Sequence, residues 1–122
     1  MRISGGRVGF AMGIPTSVLE TRGAKTGKLR RNVLIYFHDG DRVTVMPSKA
    51  GAAEHPAWLH NIRATPDVAF GGHAFRATVV TDRTELDRLW ALADRVFPPY
   101  AAYRQRAARV GRTIPIVQLS PR

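Results

Sequence analysis

The sequence feature that most constrains the fold is Asp39-Gly40, which separates two short apolar segments. Asp-Gly is a strong signal for a β-hairpin turn, because both central positions of such a turn need a positive φ. The first segment, residues 32–38, carries apolar side chains at odd and even positions, which predicts a strand with little solvent exposure on either face. The second segment, residues 42–46, has valines at alternate positions and predicts the return strand.

Turn signals recur along the rest of the chain and divide it into short elements. The other predicted strands cover residues 18–22, 68–70, 75–80 and 114–119, and the predicted helices cover residues 56–64, 82–97 and 100–108. The second helix opens with a capping pair, Asp82 followed three residues later by Glu85. Short strands joined by hairpins, with few crossover helices, predict an α+β fold with a small antiparallel barrel as its core.

The chain is predicted to form a single domain. Its 122 residues match the usual size of one domain, and its 44% hydrophobic content is enough for a packed core. We expect residues 1–17 to be a lead-in and residues 18–122 to be the domain. No apolar run approaches the ~18 residues needed to cross a membrane, and no signal peptide is recognised. With no cysteine in the chain, these features fit a cytoplasmic protein.

Charge is the main compositional indication of function. Nineteen Lys and Arg against nine Asp and Glu give a net charge of +10, which attracts nucleic acid, acidic lipid or a polyanionic small molecule. The basic residues are concentrated, because five fall within residues 22–31 and four arginines fall within residues 104–112. Such clustering favours an anion-binding site over a charge excess that serves only solubility.

Two loops of small residues are candidate anion sites. The first loop, TRGAKTG at residues 21–27, offers Lys25, the Thr26 hydroxyl and backbone N–H groups that can form an anion nest. Its spacing is not that of a P-loop, and a solvated basic turn explains it equally well. The second loop, PSKAGAA at residues 47–53, carries Ser48 and Lys49, and by itself it is better explained as a simple connection.

Histidine and aromatic residues give weaker signals. His55 and His60 are five residues apart, whereas a helical metal pair prefers four, so no metal site is predicted. Trp58 fits a core position better than a stacking platform, and Tyr100 and Tyr103 share a helical face that suits either a core or a pocket wall. A hydrolase is disfavoured, because the chain has no cysteine nucleophile, no G-x-S-x-G elbow and no evident paired carboxylates.

Several segments in order resemble the deazaflavin-dependent nitroreductase and quinone reductase family. They are TRGAKTG at residues 21–27, LRRNVL at 29–34, PSK at 47–49, HPAWLHN at 55–61, TP at 65–66 and TIPIV at 113–117. Each segment is weak alone, but their order and spacing over a hundred residues are specific. The resemblance implies a split β-barrel, FMN-binding-like in fold, with flanking helices. It also implies an oxidoreductase that transfers a hydride from reduced coenzyme F420 to a quinone, an enone or a nitro compound.

The resemblance further implies which residues meet the anionic part of the coenzyme. Lys25 and Thr26 match a loop that contacts the phosphate and the acidic tail, and Arg30 matches a basic contact just beyond it. Ser48 and Lys49 match a second anion loop. A chain of net charge +10 suits such a ligand independently of the resemblance.

Other matched residues surround the deazaflavin ring and the acceptor. Those that match the surroundings of the ring are Leu34, Ile35, Ala57, Trp58 and Asn61. Tyr103 matches a tyrosine near the coenzyme, and Tyr100 matches one near the substrate pocket. Both tyrosines are candidate catalytic residues, since either could donate a proton or hold a water that does.

The sequence departs from the family pattern at four positions. Ala24 stands where a basic residue is usual, Val33 where proline is usual, and Ala50 where glycine is common. Arg106 stands near the place of an expected third aromatic residue. The change at Ala24 is expected to affect tail binding, and the change near Arg106 leaves the substrate class open.

Three alternatives remain beside the F420-dependent reductase. The first is an FMN-binding split-barrel flavoprotein, and the second is a non-catalytic carrier of coenzyme or lipid. The third, a nucleic-acid-binding module, is disfavoured because Trp58 and Trp90 fall on predicted buried helix faces rather than among the basic residues. The expected partners are the anionic deazaflavin coenzyme and a small apolar substrate; peripheral membrane contact and the oligomeric state stay open.

Overall fold

The computed structural model describes residues 8–11 and 14–122, with side chains from residue 14 onward. In chain order the strands are β1 Val8–Ala11, β2 Ile14–Arg22, β3 Leu29–Asp39, β4 Arg42–Val45, β5 Asp67–Phe70, β6 His73–Val79 and β7 Val117–Pro121. The helices are α1 Ala57–Ala64, α2 Arg83–Val96 and α3 Tyr100–Arg109, and a short 3-10 turn covers Lys49–Gly51. No helix in the described part of the chain is long and apolar enough to span a membrane.

Six of these strands close into an antiparallel barrel. The strands lie in the order β2-β3-β4-β7-β6-β5, and β5 returns to pair with β2 at Leu19–Phe70 and Glu20–Ala69. β1 lies outside this ring as a hairpin partner of β2. The predicted α+β fold with a small antiparallel barrel and flanking helices is therefore confirmed.

β3 explains why apolar side chains occupy both faces of one strand. Tyr36 packs in the barrel interior with Leu34 against it, whereas Phe37 and Ile35 pack on the other face beneath α2 and α3. Val33 is 69% exposed, so the prediction of little exposure was wrong for the first half of the strand. The reason is that β4 pairs with β3 only from Tyr36 onward, so the start of β3 has β2 on one edge and no strand on the other among the described residues.

Helices close and cover the barrel. In α1, Trp58, Leu59 and Ile62 are buried and pack into the barrel interior. In α2, Leu89 and Ala93 are fully buried in a second cluster on the outer face of the sheet. Burying a large aliphatic or aromatic side chain contributes roughly 1.5–3 kcal/mol, so these contacts fix both helices against the barrel.

Several element bounds differ from the prediction. β2 begins at Ile14 instead of Val18, and the last strand is Val117–Pro121 instead of residues 114–119. The predicted cap of α2 is present, because Asp82 Oδ2 accepts a hydrogen bond from the Glu85 N–H at 3.0 Å. Residues 1–7 and 12–13 of the predicted lead-in lie outside the described residues, so the division of the chain at residue 18 stays a prediction.

A charged network ties the β3–β4 hairpin to α2. Arg88 donates from Nη1 and Nη2 to the two carboxylate oxygens of Asp39, each at 2.9 Å, and from Nε to Glu85 at 2.8 Å. Gln118 on β7 donates to Asp39 at 2.8 Å. The hydrogen bonds from Arg88 and then Gln118 lower the pKa of Asp39 to about 2.

We expect Asp39→Asn to reduce the free energy of unfolding at neutral pH by about 1 kcal/mol, a value scaled down because the pair is partly exposed. The folded pKa of Asp39 is about 2, below the usual value. The stabilisation contributed by the ionised Asp39 carboxylate is therefore complete above about pH 4, and it is lost as the pH falls toward the folded pKa.

Urea unfolding of wild type and variant at about pH 7 and about pH 2.5 checks this expectation. The control is Asp87→Asn, which removes an exposed carboxylate of α2. If the difference in the free energy of unfolding between wild type and Asp39→Asn were the same at both pH values, the ionisation of Asp39 would not be coupled to stability.

Candidate functional site

Two adjoining pockets lie along the free side of β3. The first has a volume of about 810 Å³ and lies between residues 23–26, the first half of β3 and α1. The second has a volume of about 520 Å³ and lies between the middle of β3, residues 48–50, the start of α1 and α3. Asn32, Ala57 and Trp58 line both, so the pockets form one continuous groove.

The first loop is a tight turn closed by its own backbone. The Gly23 N–H donates to the Lys28 carbonyl and the Gly27 N–H donates to the Gly23 carbonyl, each at 2.8 Å. Gly27 has φ +72°, a left-handed conformation that favours glycine. Thr26 Oγ1 accepts from the Lys28 N–H at 3.2 Å, and its hydroxyl hydrogen is left to donate elsewhere.

Asn61 fastens this loop to α1. Its side chain is 6% exposed; Oδ1 accepts from the Ala24 N–H at 2.9 Å and Nδ2 donates to Thr21 Oγ1 at 3.0 Å. Asn61 was predicted to flank the coenzyme ring, and the structure shows that its polar groups are engaged in shaping the loop. The contact uses only the backbone of Ala24, so the departure at that position leaves it intact.

The first pocket carries positive charge with no internal counter-ion. Arg31 is paired with Glu20 at 2.7 Å, whereas Lys25 and Arg30 form no ion pair with any described residue. Neither the Lys25 N–H nor the Thr26 N–H donates to an acceptor in the described part of the chain. Two cations and two backbone donors are therefore available to an anion.

The second pocket is lined by apolar and aromatic side chains. Met46, Phe97, Tyr100 and Tyr103 all contribute to its wall. The rings of Tyr100 and Phe97 meet edge to face at 5.0 Å, and those of Tyr100 and Tyr103 at 6.3 Å. Tyr100 is 3% exposed, and its burial, followed by the effect of Tyr103, raises the pKa of its phenol well above the usual range. Tyr100 is therefore a neutral hydrogen-bond donor at physiological pH.

Ser48 and Lys49 of the second loop line this pocket, and the loop backbone has an unfavourable conformation at Lys49 and Ala50. Lys49 has φ +46° and Ala50 has φ +52°, a left-handed conformation that is unfavourable for residues with a Cβ atom. Strain of this kind persists only where the surroundings enforce it, and it is concentrated at functional sites. Lys49 Nζ lies 3.3 Å from Glu54 Oε1, but both side chains are exposed, so this weak pair leaves Lys49 able to meet a ligand.

Helix α3 packs closely against the second loop. Gly51 has φ +77°, and a Cβ atom at this position would lie 2.6 Å from the Tyr103 carbonyl oxygen. Arg106 Nη1 donates to the Ala50 carbonyl at 2.9 Å. Arg106, which departs from the family pattern, thus links the helix that carries both tyrosines to the loop that carries Lys49.

Sequence reasoning missed the role of Arg112. It is 6% exposed, donates from Nε to His55 Nδ1 at 2.9 Å, and donates from its Nη atoms to carbonyls of the second loop. The sequence offered no signal for this role, since Arg112 was one of four clustered arginines and only the fold shows which one is buried. No group of three or more His, Asp or Glu that could hold a metal occurs in the described residues.

All the residues predicted for the site line the groove. The first pocket holds Lys25, Thr26, Arg30 and Asn61; the second holds Leu34, Ile35, Ser48, Lys49, Tyr100 and Tyr103; both share Ala57 and Trp58. Trp58 is 3% exposed and belongs to the barrel core, so it serves as core and pocket wall at once. The contacts of these residues with a coenzyme stay a prediction.

The family model for F420H(2)-dependent quinone reductases matches residues 1–121. The chain belongs to this family. A protein of Mycobacterium tuberculosis strain H37Rv, named F420H(2)-dependent quinone reductase, is 35% identical over 128 residues, which cover 99% of this chain and 85% of that protein. The predicted family and the predicted class, an F420-dependent oxidoreductase, are confirmed.

Solved structures agree with the family. A structure described as an F420-H2 dependent reductase has a TM-score of 0.71 and 29% identity, covering 86% of this chain and 93% of that one. Another, described as a domain-swapped dimer, has a TM-score of 0.73 and 29% identity, covering 86% of this chain and 79% of that one. This F420H(2)-dependent quinone reductase family member therefore has the split β-barrel that the sequence predicted.

We expect the protein to lose stability as the pH falls below about 6.5, the unfolded pKa of histidine, because folding keeps His55 neutral. Burial, followed by the charges of Arg112, Arg63 and His60, lowers the pKa of His55. Because the pKa of His55 is lower in the folded state, the unfolded chain binds the proton more readily. The free energy of unfolding is therefore at its full value above about pH 6.5 and decreases as the pH falls below it.

His55→Gln keeps an acceptor for Arg112 but cannot titrate, so its stability should change less between about pH 7.5 and about pH 5.5 than that of wild type. The control is His73→Gln, which changes an exposed histidine of β6. Equal pH slopes for wild type and His55→Gln in urea unfolding would show that His55 does not titrate in this way.

Proposed function

We propose that the groove binds coenzyme F420 and that the protein transfers a hydride from the reduced coenzyme to a quinone or another electron-poor organic acceptor. The observation that carries this proposal is the junction of a basic pocket with an apolar, aromatic pocket at Ala57 and Trp58. The two halves suit a ligand with an anionic tail and a flat ring system.

The donor groups along the groove fit the phosphate and the acidic tail. Lys25, Arg30 and Lys49 supply three cations along the groove, and the amides of Lys25 and Thr26 supply further donors. Charge-assisted hydrogen bonds contribute roughly 1.5–3 kcal/mol each, and micromolar binding needs about 8 kcal/mol. Three such contacts account for micromolar affinity if burial of the ring offsets the cost of association.

The second pocket fits the ring. In the described part of the chain, β4 joins β3 only at Tyr36, so the preceding edge of β3 that faces away from β2 carries no strand partner. Backbone groups near Leu34 and Ile35 are therefore open to hydrogen bonds from a ligand in the groove. Met46 and Phe97 supply apolar wall on the other sides.

When bound, the reduced coenzyme supplies a hydride from its central ring carbon. The chain supplies position and protons. The apolar wall excludes water and holds an acceptor against the ring. Tyr103 is half-buried and lines the pocket, so its hydroxyl can give a proton to the reduced acceptor and regain one from solvent. Tyr100 is more deeply buried and suits orienting the acceptor by a hydrogen bond.

The decisive experiment is a fluorescence titration of the purified protein with F420, followed by stopped-flow oxidation of the bound reduced coenzyme by menadione. Binding with rapid oxidation supports the reductase. Binding without oxidation above the rate of free coenzyme indicates a carrier, and binding of FMN in preference to F420 indicates a flavoprotein. The cytoplasmic location and peripheral membrane contact stay predictions.

We expect Lys25→Ala and Lys49→Ala each to weaken F420 binding by about 1.5–3 kcal/mol, or roughly 10- to 150-fold, because each removes a charged donor to the anionic coenzyme. The dependence of affinity on salt should also become shallower, since fewer charges remain to be screened. The measurement is fluorescence titration at several salt concentrations.

The matched control is Lys28→Ala, which removes a charge from the adjacent, exposed position that lines neither pocket. It lowers the net charge equally but should weaken binding less. If Lys25→Ala and Lys49→Ala bind no worse than Lys28→Ala, the two loops do not hold the anionic part of the coenzyme.

Tyr103→Phe tests the proton donor, because it keeps the ring and removes only the hydroxyl. We expect it to lower the single-turnover rate of coenzyme oxidation by menadione more than it weakens coenzyme binding. General acids contribute about 10²–10⁴-fold, and a donor that water can replace contributes less. The control is Tyr36→Phe, which removes a hydroxyl outside both pockets. Unchanged rate and affinity in Tyr103→Phe would leave Tyr100 or solvent as the proton source.

A further inference from the structure

Arg112 follows α3, and its buried guanidinium donates hydrogen bonds to the second loop and to His55. Nη1 donates to the carbonyls of Ser48 and Ala52, each at 2.9 Å, and Nη2 donates to the carbonyl of Pro47. Nε donates to His55 Nδ1 at 2.9 Å. One side chain therefore holds three backbone carbonyls and the imidazole that follows them.

This guanidinium has no carboxylate partner in the described part of the chain. Burial lowers the pKa of Arg112, but an arginine side chain remains protonated in proteins. A buried cation without a counter-ion is unfavourable unless hydrogen bonds satisfy its donors. The loop carbonyls provide those bonds, so the need to satisfy Arg112 fixes the path of the second loop.

The loop needs this external support because its own backbone conformation is unfavourable. Lys49 and Ala50 both have positive φ, and the only hydrogen bonds within the turn run from the Gly51 and Ala52 N–H groups to the Ser48 and Lys49 carbonyls. The same turn places Ser48 and Lys49 on the wall of the second pocket. Hydrogen bonds from Arg112, which lies outside the pocket wall, therefore stabilise the loop conformation that places Ser48 and Lys49 there.

We propose that Arg112 is a positioning residue for the coenzyme: it orders the second loop so that Lys49 meets the anionic part of F420. This rests on the proposed function. Arg112 lines neither pocket, so its effect on the groove runs through the loop. His55 completes the arrangement, because its neutral Nδ1 accepts the one guanidinium hydrogen bond that does not go to the loop.

The first test needs no coenzyme. Arg112→Lys keeps the charge but cannot reach four acceptors at once. We expect hydrogen exchange of the Gly51 and Ala52 amides in the free protein to become at least about tenfold faster in this variant. The control is Arg109→Lys, an equal change at an exposed position of α3 that lines neither pocket, and it should leave this exchange unaltered. If Arg112→Lys does not fold, Arg112→Met, which removes the buried charge, takes its place.

The second test is a double-mutant cycle for F420 affinity with Arg112→Lys and Lys49→Ala. We expect Arg112→Lys alone to weaken binding by about tenfold, and the double variant to bind within about threefold of the weaker single variant. Such non-additivity is what an effect transmitted through Lys49 produces, whereas a general loss of structure would weaken binding in the Lys49→Ala background as well.

Unchanged exchange at Gly51 and Ala52 would overturn the proposal, because Arg112 would then not order the loop. Faster exchange with unchanged F420 affinity, or with fully additive losses, would also overturn it, because the loop order would not reach the coenzyme through Lys49. If wild type itself fails to bind F420, the proposed function fails, and the exchange result still decides whether Arg112 holds the loop.

Discussion

The structure depends on where the barrel closes. β5 pairs with β2 only at Leu19 and Glu20, and β4 meets β3 only from Tyr36 onward. The first half of β3 therefore pairs with β2 alone, while β2 itself also pairs with β1 and β5 on its other edge. The edge of β3 that faces away from β2 has no strand partner before Tyr36 among the described residues, and the groove follows this edge. A barrel closed along the whole length of β3 would have no room for a flat ligand beside its backbone.

The loops at the two ends of the groove are both shaped by side chains distant in sequence. Asn61 in α1 fixes the first loop through the Ala24 N–H, and Arg112 beyond α3 fixes the second through its carbonyls. The two contacts are opposite in kind, since one offers an acceptor to a backbone donor and the other offers donors to backbone acceptors. Neither contact uses a lysine side chain of the loops, and Lys25 and Lys49 both line the groove.

Some of the basic residues that give the net charge of +10 form ion pairs with carboxylates, and others in the described residues do not. Arg31, Arg88 and Arg104 are paired with carboxylates, and Arg104 also lies over the Trp90 ring at 4.2 Å. Those pairs fasten strands and helices together and add little to the field in the groove. Lys25 and Arg30 have no such partner in the described residues, and both line the first pocket, so their charge is available there. The same kind of residue thus joins elements of the fold in one place and lies unpaired beside the groove in another.

The sequence by itself determined the hairpin at Asp39-Gly40, the cap at Asp82, the helices and the family, because turn chemistry and periodicity are local and the motifs keep their spacing. The family resemblance also named a set of site residues, all of which line the groove, but it did not name Met46 or Phe97. It missed the start of β2, since Pro15 normally argues against a strand, and here the residue lies opposite Phe10 in the β1–β2 hairpin. It could not show that Val33 is exposed or that Arg112 is buried among carbonyls, because both depend on contacts between segments far apart in the chain. Packing between distant segments determines which of several similar arginines is buried, and which half of an apolar strand stays exposed to solvent.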